Sequence, residues 1–379
     1  MLFKNFWYVL ADSAAVGTSP VKVRALGQDL ALFRRGSDRR IVALSDVCVH
    51  RMGSLSAGEV DGDCLRCPYH GWTYAEDGAC TRIPANPPGT PVPRKARVDS
   101  YPVEERYGWV WAFLGDLPEA ERPPLPPFPE FGRPGLRAVR GEFMWKAHYT
   151  RVVENAVDVA HTPFVHRDSF GDLERPVMPD YEVVSGPHSV EASLSLPARE
   201  SRLFGRGREN SVRLAIHTAS VNCVDGTFAG GWRTILLLAH TPVDERNTRT
   251  HFIQLRNFFT SPLGDGLARR FSLRILAEDR PTVESQTPPC VPLGPGADLS
   301  TRSDALSLAY RKLLRRYVDL GWQLDHQARL RTRTEDGRLL MIPSPQRRAP
   351  ELEKTWVLGE LPSSSTAPPI PTPTEGSAR

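Results

Sequence analysis

The 379-residue sequence contains no apolar run near the roughly 18 residues that a membrane-spanning helix needs. Its start also lacks the basic and then apolar pattern of a secretory signal. We therefore expect a cytoplasmic protein without a membrane partner. With 48 basic and 44 acidic residues, the net charge of +4 is too small and too scattered to indicate a nucleic-acid-binding surface.

Cysteine is scarce as well, and the position of the few that exist is informative. The chain has six cysteines, of which four lie between positions 48 and 80. Thiols in a chain without a secretory signal are expected to stay reduced, so clustered cysteines are better interpreted as metal ligands than as disulfides. The N-terminal part of the chain is therefore the first place to look for a metal site.

The pattern of apolar residues divides the chain into segments. Short alternating runs separated by Gly, Asp and Pro predict an all-β domain over residues 1–117, and a proline-dense connector follows over 118–134. Residues 135–325 combine a helical pattern, strand-like runs typical of an antiparallel sheet, and two late helices. We predict an α+β fold, with a C-terminal extension over 326–361 and a disordered tail over 362–379.

Two cysteines and two histidines fall into a pair of matched loops. Cys48-x-His50 is followed, after sixteen residues, by Cys67-x-x-His70. One interpretation is a tetrahedral zinc site, to which Cys64 could contribute. The other is a Rieske 2Fe-2S cluster, in which one iron takes two cysteines and the other takes two histidines, so that each loop must offer one of each. Because each loop does so, we favour the Rieske cluster.

A second group of polar residues occurs on a predicted helix that covers residues 143–160 and beyond. Asn155, Asp158 and His161 are three apart and would share one helix face. His166 lies five residues beyond His161, so both imidazoles can bind one ion only if the helix breaks between them. A proline at position 163 is placed to cause that break.

A third ligand for such an ion would have to come from elsewhere in the chain. Two histidines and one carboxylate form the facial triad of non-haem Fe(II), which leaves positions open for dioxygen. A late helical segment offers Glu278, Asp279 and Glu284, and their spacing does not choose between them.

Together these motifs resemble the Rieske non-haem iron oxygenases, in the group that includes vanillate and dicamba O-demethylases and saxitoxin-pathway hydroxylases. Residues 48–51 (CVHR) and 67–72 (CPYHGW) are similar to the two cluster loops of that family. The resemblance implies a catalytic domain of the helix-grip, or START-like, type. It also implies Asp279 as the third iron ligand, which leaves Glu278 and Glu284 as solvated or helix-pairing carboxylates.

The resemblance further implies a terminal oxygenase component with one 2Fe-2S cluster per subunit and a mononuclear Fe(II) that uses O2. Its substrate would be a small organic molecule, hydroxylated, demethylated or oxidatively cyclised, in secondary metabolism. Electrons would come from NAD(P)H through a separate ferredoxin or reductase, since no Gly-x-Gly-x-x-Gly motif follows a predicted strand. A head-to-tail homotrimer is implied. The alternatives are a Rieske electron-transfer protein and a structural zinc protein.

Asp158 and Asn155 are the expected catalytic side chains beside the iron. Asp158 lies one turn before His161, so it could accept a hydrogen bond from that imidazole and also reach the partner subunit's His70. An acidic ferredoxin would dock on a basic surface. The candidates for that surface are Arg206, Arg208, Arg311, Lys312, Arg315 and Arg316.

Overall fold

The structure is a computed structural model that describes residues 1–196, 210–228, 230–294, 296–335, 337 and 339–364. Two of the expected docking residues, Arg206 and Arg208, lie outside these ranges. Among the described residues, no helix combines the length and the apolar character needed to traverse a bilayer. All six cysteines carry free thiols, as expected for reduced cysteines.

The N-terminal part of the chain is built from short strands, as predicted. They are β1 (Phe6–Asp12), β2 (Val21–Ala25), β3 (Gln28–Arg34), β4 (Ile41–Ser45), β5 (Glu59–Asp61), β6 (Cys64–Arg66), β7 (Thr73–Tyr74), β8 (Cys80–Arg82), β9 (Ser100–Tyr101), β10 (Val103–Arg106) and β11 (Trp109–Leu114). They form three antiparallel sheets with the orders β1-β11-β10, β2-β3-β4-β9 and β5-β6-β7-β8. The two motif loops follow β4 and join β6 to β7.

The second part of the chain centres on one seven-stranded antiparallel sheet. Its strands are β12 (Arg137–Trp145), β13 (Val183–Ser185), β14 (Ser189–Leu196), β15 (Asn210–His217), β16 (Val221–Phe228), β17 (Trp232–Pro242) and β18 (Thr248–Arg256). The order β12-β18-β17-β16-β15-β14-β13 makes β13 to β18 a meander, with β12 added beside the last strand. The predicted α+β class, an all-β part followed by an antiparallel sheet with helices, is therefore confirmed.

Five helices accompany this sheet in the described part of the chain. They are α1 (Tyr149–Val157), α2 (Thr162–Val165), α3 (Asp265–Ser285), α4 (Ala305–Asp319) and α5 (His326–Glu335). The prediction of a helix from residue 143 was wrong at its start, because residues up to Trp145 belong to β12. Val139, Phe143 and Trp145 alternate along that strand with the period of two that a half-buried strand requires. The apolar run over 211–223 spans two strands, β15 and β16, separated by a turn in which Thr218 has a φ of 58°.

The two faces of the large sheet contact different parts of the molecule. Side chains such as Ala192 and Ile216 point to the face that α1 and α4 cover. Their neighbours Ala215 and Leu237 point to the opposite face and pack against Trp111 and the other tryptophans of the N-terminal part. This alternation is the period-two pattern of strands buried on both sides. It places α1 and α4 on one face of the sheet and the tryptophans of the N-terminal part on the other.

The C-terminal extension packs on the N-terminal sheets. The Ile342 amide donates to Gln28 Oε1 at 2.7 Å, and the Tyr101 hydroxyl donates to the Ile342 carbonyl at 2.7 Å. Arg347 donates from Nε and Nη2 to the two carboxylate oxygens of Asp99, each at 2.7 Å, and both side chains are buried. The extension therefore completes the core of the N-terminal part, which the sequence did not indicate.

The start of the predicted disordered tail is also better defined than expected. Ser363 pairs with Leu324 in an isolated bridge, and the Ser364 amide donates to the Gln323 carbonyl at 2.8 Å. These backbone bonds tie residues 362–364 to the chain just before α5, so the prediction of a disordered tail from 362 was wrong for these three residues. Residues 365–379, the remainder of the predicted tail, lie outside the described residues.

Candidate metal centres

The two cysteine and histidine loops are tight turns of the same kind. The Cys48 carbonyl accepts a hydrogen bond from the Met52 amide at 2.9 Å, and the Cys67 carbonyl accepts one from the Gly71 amide at 3.0 Å. Met52 and Gly71 have φ angles of 58° and 70°, in the left-handed region. Glycine adopts this conformation readily, as at Gly71, whereas methionine rarely does, so Met52 gives no signal of the turn in the sequence.

These turns place the sulfur atoms inside the domain and the imidazoles towards its surface. The side chains of Cys48 and Cys67 are buried, each residue being 2% exposed, in a core lined by strand residues. The rings of His50 and His70 lie with their centroids 4.5 Å apart, and Trp72 stacks on His50 at 4.6 Å. Each loop thus contributes one buried sulfur donor and one outer nitrogen donor.

The arrangement of these four side chains fits a two-iron cluster better than one zinc ion. The His50 Nδ1 atom is buried and has no hydrogen-bond partner in the described part of the chain, which is costly unless a metal satisfies it. Burial raises the pKa of the Cys48 thiol, so the thiolate needs a nearby cation. Within the described residues, three metal-ligating atoms lie within 4.8 Å of one another only at His161, His166 and Asp279. The four loop donors therefore do not converge on a single ion, as a tetrahedral zinc site would require.

The remaining N-terminal cysteines are placed as expected for bystanders. Cys64 lies on β6, and Cys80 lies on β8 with its thiol 3.3 Å from the Arg82 carbonyl, to which it donates. Burial raises the pKa of both thiols, which keeps them protonated. Cys223, on the large sheet, fills the core between the two parts of the molecule.

The two histidines of the second motif flank a helix of a single turn. Helix α1 ends at Val157, a 3-10 turn covers Val159–His161, and α2 then begins at Thr162. His161 precedes α2 and His166 follows it with non-helical φ and ψ of −100° and 21°. The predicted break at Pro163 was wrong, because Pro163 lies in the first turn of α2, where its missing amide costs nothing.

Three side-chain donors from distant segments meet at this point. His161 Nε2 and His166 Nε2 are 3.2 Å apart, and each lies 3.3 Å from Oδ1 of Asp279 on α3. These distances form a nearly equilateral triangle. Metal bonds of about 2.1 Å with angles near 90–100° separate neighbouring ligand atoms by about 3.0–3.3 Å. The spacing therefore suits one small divalent cation held on one side.

The electrostatics of the triangle also favour a cation. Burial alone would raise the pKa of Asp279, but the imidazoles of His161 and His166 lower it to about 2, so the carboxylate is charged. Its Oδ1 atom is buried, yet no N–H of the described residues is aligned to donate a hydrogen bond to it. A buried, charged oxygen without a donor is the environment that a metal ion would satisfy.

The neighbouring carboxylate, Glu278, does not enter the triangle. Its Oε2 accepts from His166 Nδ1 at 3.0 Å, on the opposite side of that ring. The expectation of a solvated or helix-pairing residue was therefore incomplete for Glu278, although it also pairs with Arg274 one turn earlier. Glu284 is a helix-pairing residue as expected, facing Arg280 at 3.6 Å.

Asp158 and Asn155 are placed differently from the prediction. The helix ends before Asp158, so its side chain does not continue the face of α1. Its Oδ1 accepts from the Ala160 amide at 2.9 Å, and its Oδ2 lies 4.0 Å from His161 Nδ1, beyond hydrogen-bonding distance. Asn155 lies in the last turn of α1, and the part of the chain that the structure describes gives its side chain no hydrogen bond.

A polar group on the helix-covered face of the sheet was not found from the sequence. The Thr250 hydroxyl lies 2.8 Å from Trp145 Nε1 and 2.7 Å from His240 Nδ1. Because an indole only donates, the hydroxyl accepts from Trp145; it can also donate to His240 Nδ1, and in that arrangement the proton of the ring is on Nε2. Burial lowers the pKa of His240 to about 3, so the ring is neutral.

The Nε2 atom of this histidine has no hydrogen-bond partner among the described residues, although the residue is only 1% exposed. Asn222 is its diagonal neighbour on β16, since Asn222 pairs with Leu238 in the sheet. The Asn222 amide nitrogen donates to the Val153 carbonyl of α1 at 3.4 Å, while its buried Oδ1 has no donor within the described ranges. Two buried polar atoms that lack partners in the described structure therefore lie on neighbouring strands, on the face that the helices cover.

One cavity of the described structure lies away from this site. A cavity of about 400 Å³ is lined by residues that include Ser193, Arg213 and Asp225. In the strand register these residues share the face of Ala215 and Leu237, which the N-terminal part covers. The cavity therefore opens away from the helices that carry the iron-site candidates.

The expected basic docking surface is partly neutralised. Arg311 donates to Glu154 Oε1 at 2.7 Å and to Asp298 Oδ1 at 2.7 Å. Arg316 donates to the Pro187 carbonyl at 3.2 Å. Arg311 is thus held within the catalytic part of the chain, which removes it from the candidates for a free basic surface.

Comparison with known sequences agrees with this arrangement of two metal regions. Residues 6–102 match the profile of the Rieske [2Fe-2S] domain, and residues 145–320 match that of the vanillate O-demethylase oxygenase C-terminal domain. The methylxanthine N1-demethylase of Pseudomonas putida is 32% identical over 328 residues, which cover 82% of this chain and 88% of that protein. The oxygenase component of dicamba O-demethylase from Stenotrophomonas maltophilia is 30% identical, with coverages of 74% and 87%.

A solved structure gives a similar picture. The structure of Pseudomonas putida NdmA with caffeine superposes with a TM-score of 0.73 at 28% sequence identity. The superposition covers 82% of this chain and 90% of that one. The similarity therefore extends over most of both chains.

Proposed function

Because the chain belongs to the Rieske non-haem iron oxygenases, as an oxygenase alpha subunit, we propose that it demethylates a small aromatic or heteroaromatic substrate. Proteins of this family are oxidoreductases that act on small organic substrates and receive electrons from a separate electron-transfer partner. The relatives most similar in sequence include an N-demethylase of methylxanthines and an O-demethylase of dicamba. A methyl group bound to nitrogen or oxygen is therefore the proposed point of attack.

The proposed ligands follow from the two donor sets. For the 2Fe-2S cluster they are Cys48 and Cys67 on one iron and His50 and His70 on the other. For the mononuclear iron they are His161, His166 and Asp279. When bound, the cluster supplies single electrons and the mononuclear iron supplies the reductive activation of O2.

The triangle formed by His161, His166 and Asp279 is the observation that carries the proposal. Its three donors occupy one side of the candidate metal position, which leaves the other side for O2 and substrate. A structural zinc site would instead use four protein ligands and leave no open position. An electron-transfer protein would have no use for this second group of donors.

The polar pair on the sheet suggests the chemistry of the substrate. The His240 Nε2 proton can donate to a carbonyl oxygen, and Asn222 Oδ1 can accept from an N–H group. A ring that carries a carbonyl, with or without a neighbouring N–H, would satisfy both atoms. We propose that these two residues orient the substrate so that its methyl group points towards the iron.

The overall reaction balances for a methyl group on nitrogen or oxygen. One O2, two electrons and two protons convert the methyl group to a hydroxymethyl group and release one water. The hydroxymethyl group then leaves as formaldehyde, and the heteroatom keeps a hydrogen. The same oxidation at a carbon-bound methyl group would stop at the alcohol.

We also propose that the chain is divided into the domains predicted from its sequence and that it assembles as a head-to-tail homotrimer. The domains are residues 1–117 for the cluster, 118–134 for the connector and 135–325 for catalysis. Exposed apolar side chains flank both metal regions, among them Tyr69 beside the cluster loops and Phe164 on α2, and exposed apolar patches mark interaction surfaces. Sedimentation of the holoenzyme at three times the mass of one chain would support the trimer, and sedimentation as a monomer would contradict it.

Product analysis tests the proposed reaction. The reconstituted protein, with a reductase and NADH, would be incubated with methylated xanthines and methoxybenzoates, and with the same panel under nitrogen. We expect a product lighter by the mass of CH2 and formaldehyde equal to the substrate consumed, only in the presence of O2. A product heavier by one oxygen, without formaldehyde, would show hydroxylation instead and contradict the demethylation.

A further inference from the structure

Glu278 holds the face of His166 that points away from the candidate iron position. Its Oε2 lies 3.0 Å from His166 Nδ1. A carboxylate can only accept a hydrogen bond, so Nδ1 must carry a proton, and in the neutral, metal-binding form of the ring it carries the single one. The lone pair of the imidazole is therefore on Nε2, the atom that faces His161 and Asp279.

The carboxylate is itself fixed from two sides. The Ser169 hydroxyl donates to the same Oε2 at 2.7 Å, and Arg274 Nε donates to Oε1 at 2.9 Å. Ser169 follows His166 by three residues, whereas Arg274 and Glu278 are one turn apart on α3. The hydrogen bonds thus close a link between the end of α2 and the helix that carries Asp279.

The other histidine has no comparable support within the described chain. Among the described residues, His161 Nδ1 is buried without a hydrogen-bond partner, and the carboxylate oxygen Oδ2 of Asp158 is 4.0 Å away. The orientation of the two rings is therefore set unequally, and His166 is the one whose tautomer the protein determines.

We propose that Glu278 is a positioning residue of the iron site, which fixes the tautomer and ring orientation of His166 before metal binds. The proposal rests on the ligand role of His166 proposed above. Partners that hold a ligating histidine in this way are typically worth about 10- to 100-fold in metal affinity. Glu278 would therefore set how tightly the chain retains its iron without binding the iron itself.

The test is anaerobic titration of Fe(II) into protein whose cluster is intact and whose mononuclear iron has been removed by a chelator. Competition with a chelator of known affinity gives the dissociation constant. For Glu278→Ala we expect it to rise about 10- to 100-fold, with the visible spectrum of the cluster unchanged. For Glu278→Gln we expect a rise of about threefold at most, because the amide oxygen can still accept the Nδ1 proton.

Glu284→Ala is the matched control. Glu284 also follows an arginine by four residues on α3, but its carboxylate binds the Lys146 amide and not a histidine. Its dissociation constant should stay within about twofold of the wild type. An equal loss in the Glu278 and Glu284 variants would mean a general effect on the helix and would overturn the positioning role.

Two further variants keep the outcomes separate. Ser169→Ala removes only the hydroxyl that donates to Glu278, and we expect a smaller loss of Fe(II) affinity than in Glu278→Ala. If Glu278→Ala does not fold, Ser169→Ala still tests the hydrogen-bonded link between α2 and α3. His166→Ala should abolish Fe(II) binding. If it binds iron as the wild type does, the proposed ligand set is wrong. If it loses iron while Glu278→Ala and Ser169→Ala bind normally, only the positioning role is wrong.

Discussion

The two candidate metal regions are assembled in different ways. Each cluster loop is a single tight turn that carries one cysteine and one histidine, so the four donors come from two short stretches of sequence. The iron-site donors come from a one-turn helix and from α3, more than a hundred residues later. Short loops can therefore be identified from their spacing, whereas a site that closes through tertiary packing cannot be completed from one segment alone.

The largest expected effect comes from removing a buried donor of the cluster. Cys67→Ala should abolish the visible absorption of the cluster and all turnover, because the cluster loses one of its two cysteine ligands. Cys64→Ala, three residues earlier on β6, should keep both. Visible absorption spectra of the purified proteins, with oxygen uptake, distinguish the two. An intact spectrum in Cys67→Ala would show that the donors of this region are not those of the loops.

The next effect concerns the support of the cluster region by the C-terminal extension. Arg347 forms a two-bond ion pair with Asp99, and the two side chains are 4% and 0% exposed. Arg347→Ala would leave a buried carboxylate without its partner and should cost about 3–5 kcal/mol of stability. Denaturant unfolding followed by cluster absorption measures this loss.

Arg348→Ala provides the control for that experiment, because the Arg348 side chain is 47% exposed and its ion pairs are screened by solvent. Its unfolding midpoint should lie close to that of the wild type. If both variants unfold alike, the extension is not part of the core of the cluster region. The claim that contacts from the C-terminal extension stabilise the cluster region would then be wrong.

A smaller effect is expected where the substrate is proposed to bind. His240→Phe keeps most of the ring volume but removes the Nε2 proton, and an unpaired substrate carbonyl should raise KM about 10-fold, with both metals retained. His251→Phe is the matched control, since His251 is equally buried, at 1% exposure, but lies on the opposite face of the sheet. Steady-state kinetics on the accepted substrate would contradict the assignment if KM rises equally in both variants.

The smallest effect on metal binding is expected at Asp158. Because 4.0 Å separates its carboxylate from His161, Asp158→Asn should change the affinity for Fe(II) by no more than about twofold. If Asp158 instead connects to the partner subunit's His70 in the trimer, reoxidation of the reduced cluster with substrate and O2 should slow in this variant. A normal stopped-flow rate would leave Asp158 with only its capping bond to Ala160.

Much of the fold and of both donor sets follows from local pattern. The strand alternation, the paired loops and the His161 and His166 spacing are all visible in the sequence. The end of α1 before Asp158 was not, because a capping carboxylate and a helical one have the same spacing. The choice between Glu278 and Asp279 depends on how α3 packs against α2, since adjacent residues on a helix differ only in the direction they face.

Other features depend on contacts between distant parts of the chain. The Nε2 atom of His240 can be recognised as unpaired only when the positions of Thr250 and Trp145 around the ring are known. The role of the extension depends on the encounter of Arg347 with Asp99, which are separated by most of the chain. A pattern in a single sequence does not show which distant residues pair. The structure shows these pairs through distances and hydrogen-bond directions.

Counting iron and inorganic sulfide in Asp279→Ala tests the central claim most directly. The claim is that one chain holds two separate metal sites, with Asp279 a ligand of the mononuclear iron. The wild-type protein should contain about three irons and two sulfides per chain, and the variant about two irons and two sulfides, with an unchanged cluster spectrum. An unchanged iron content in the variant, or the loss of cluster iron and sulfide together with the third iron, would contradict the account.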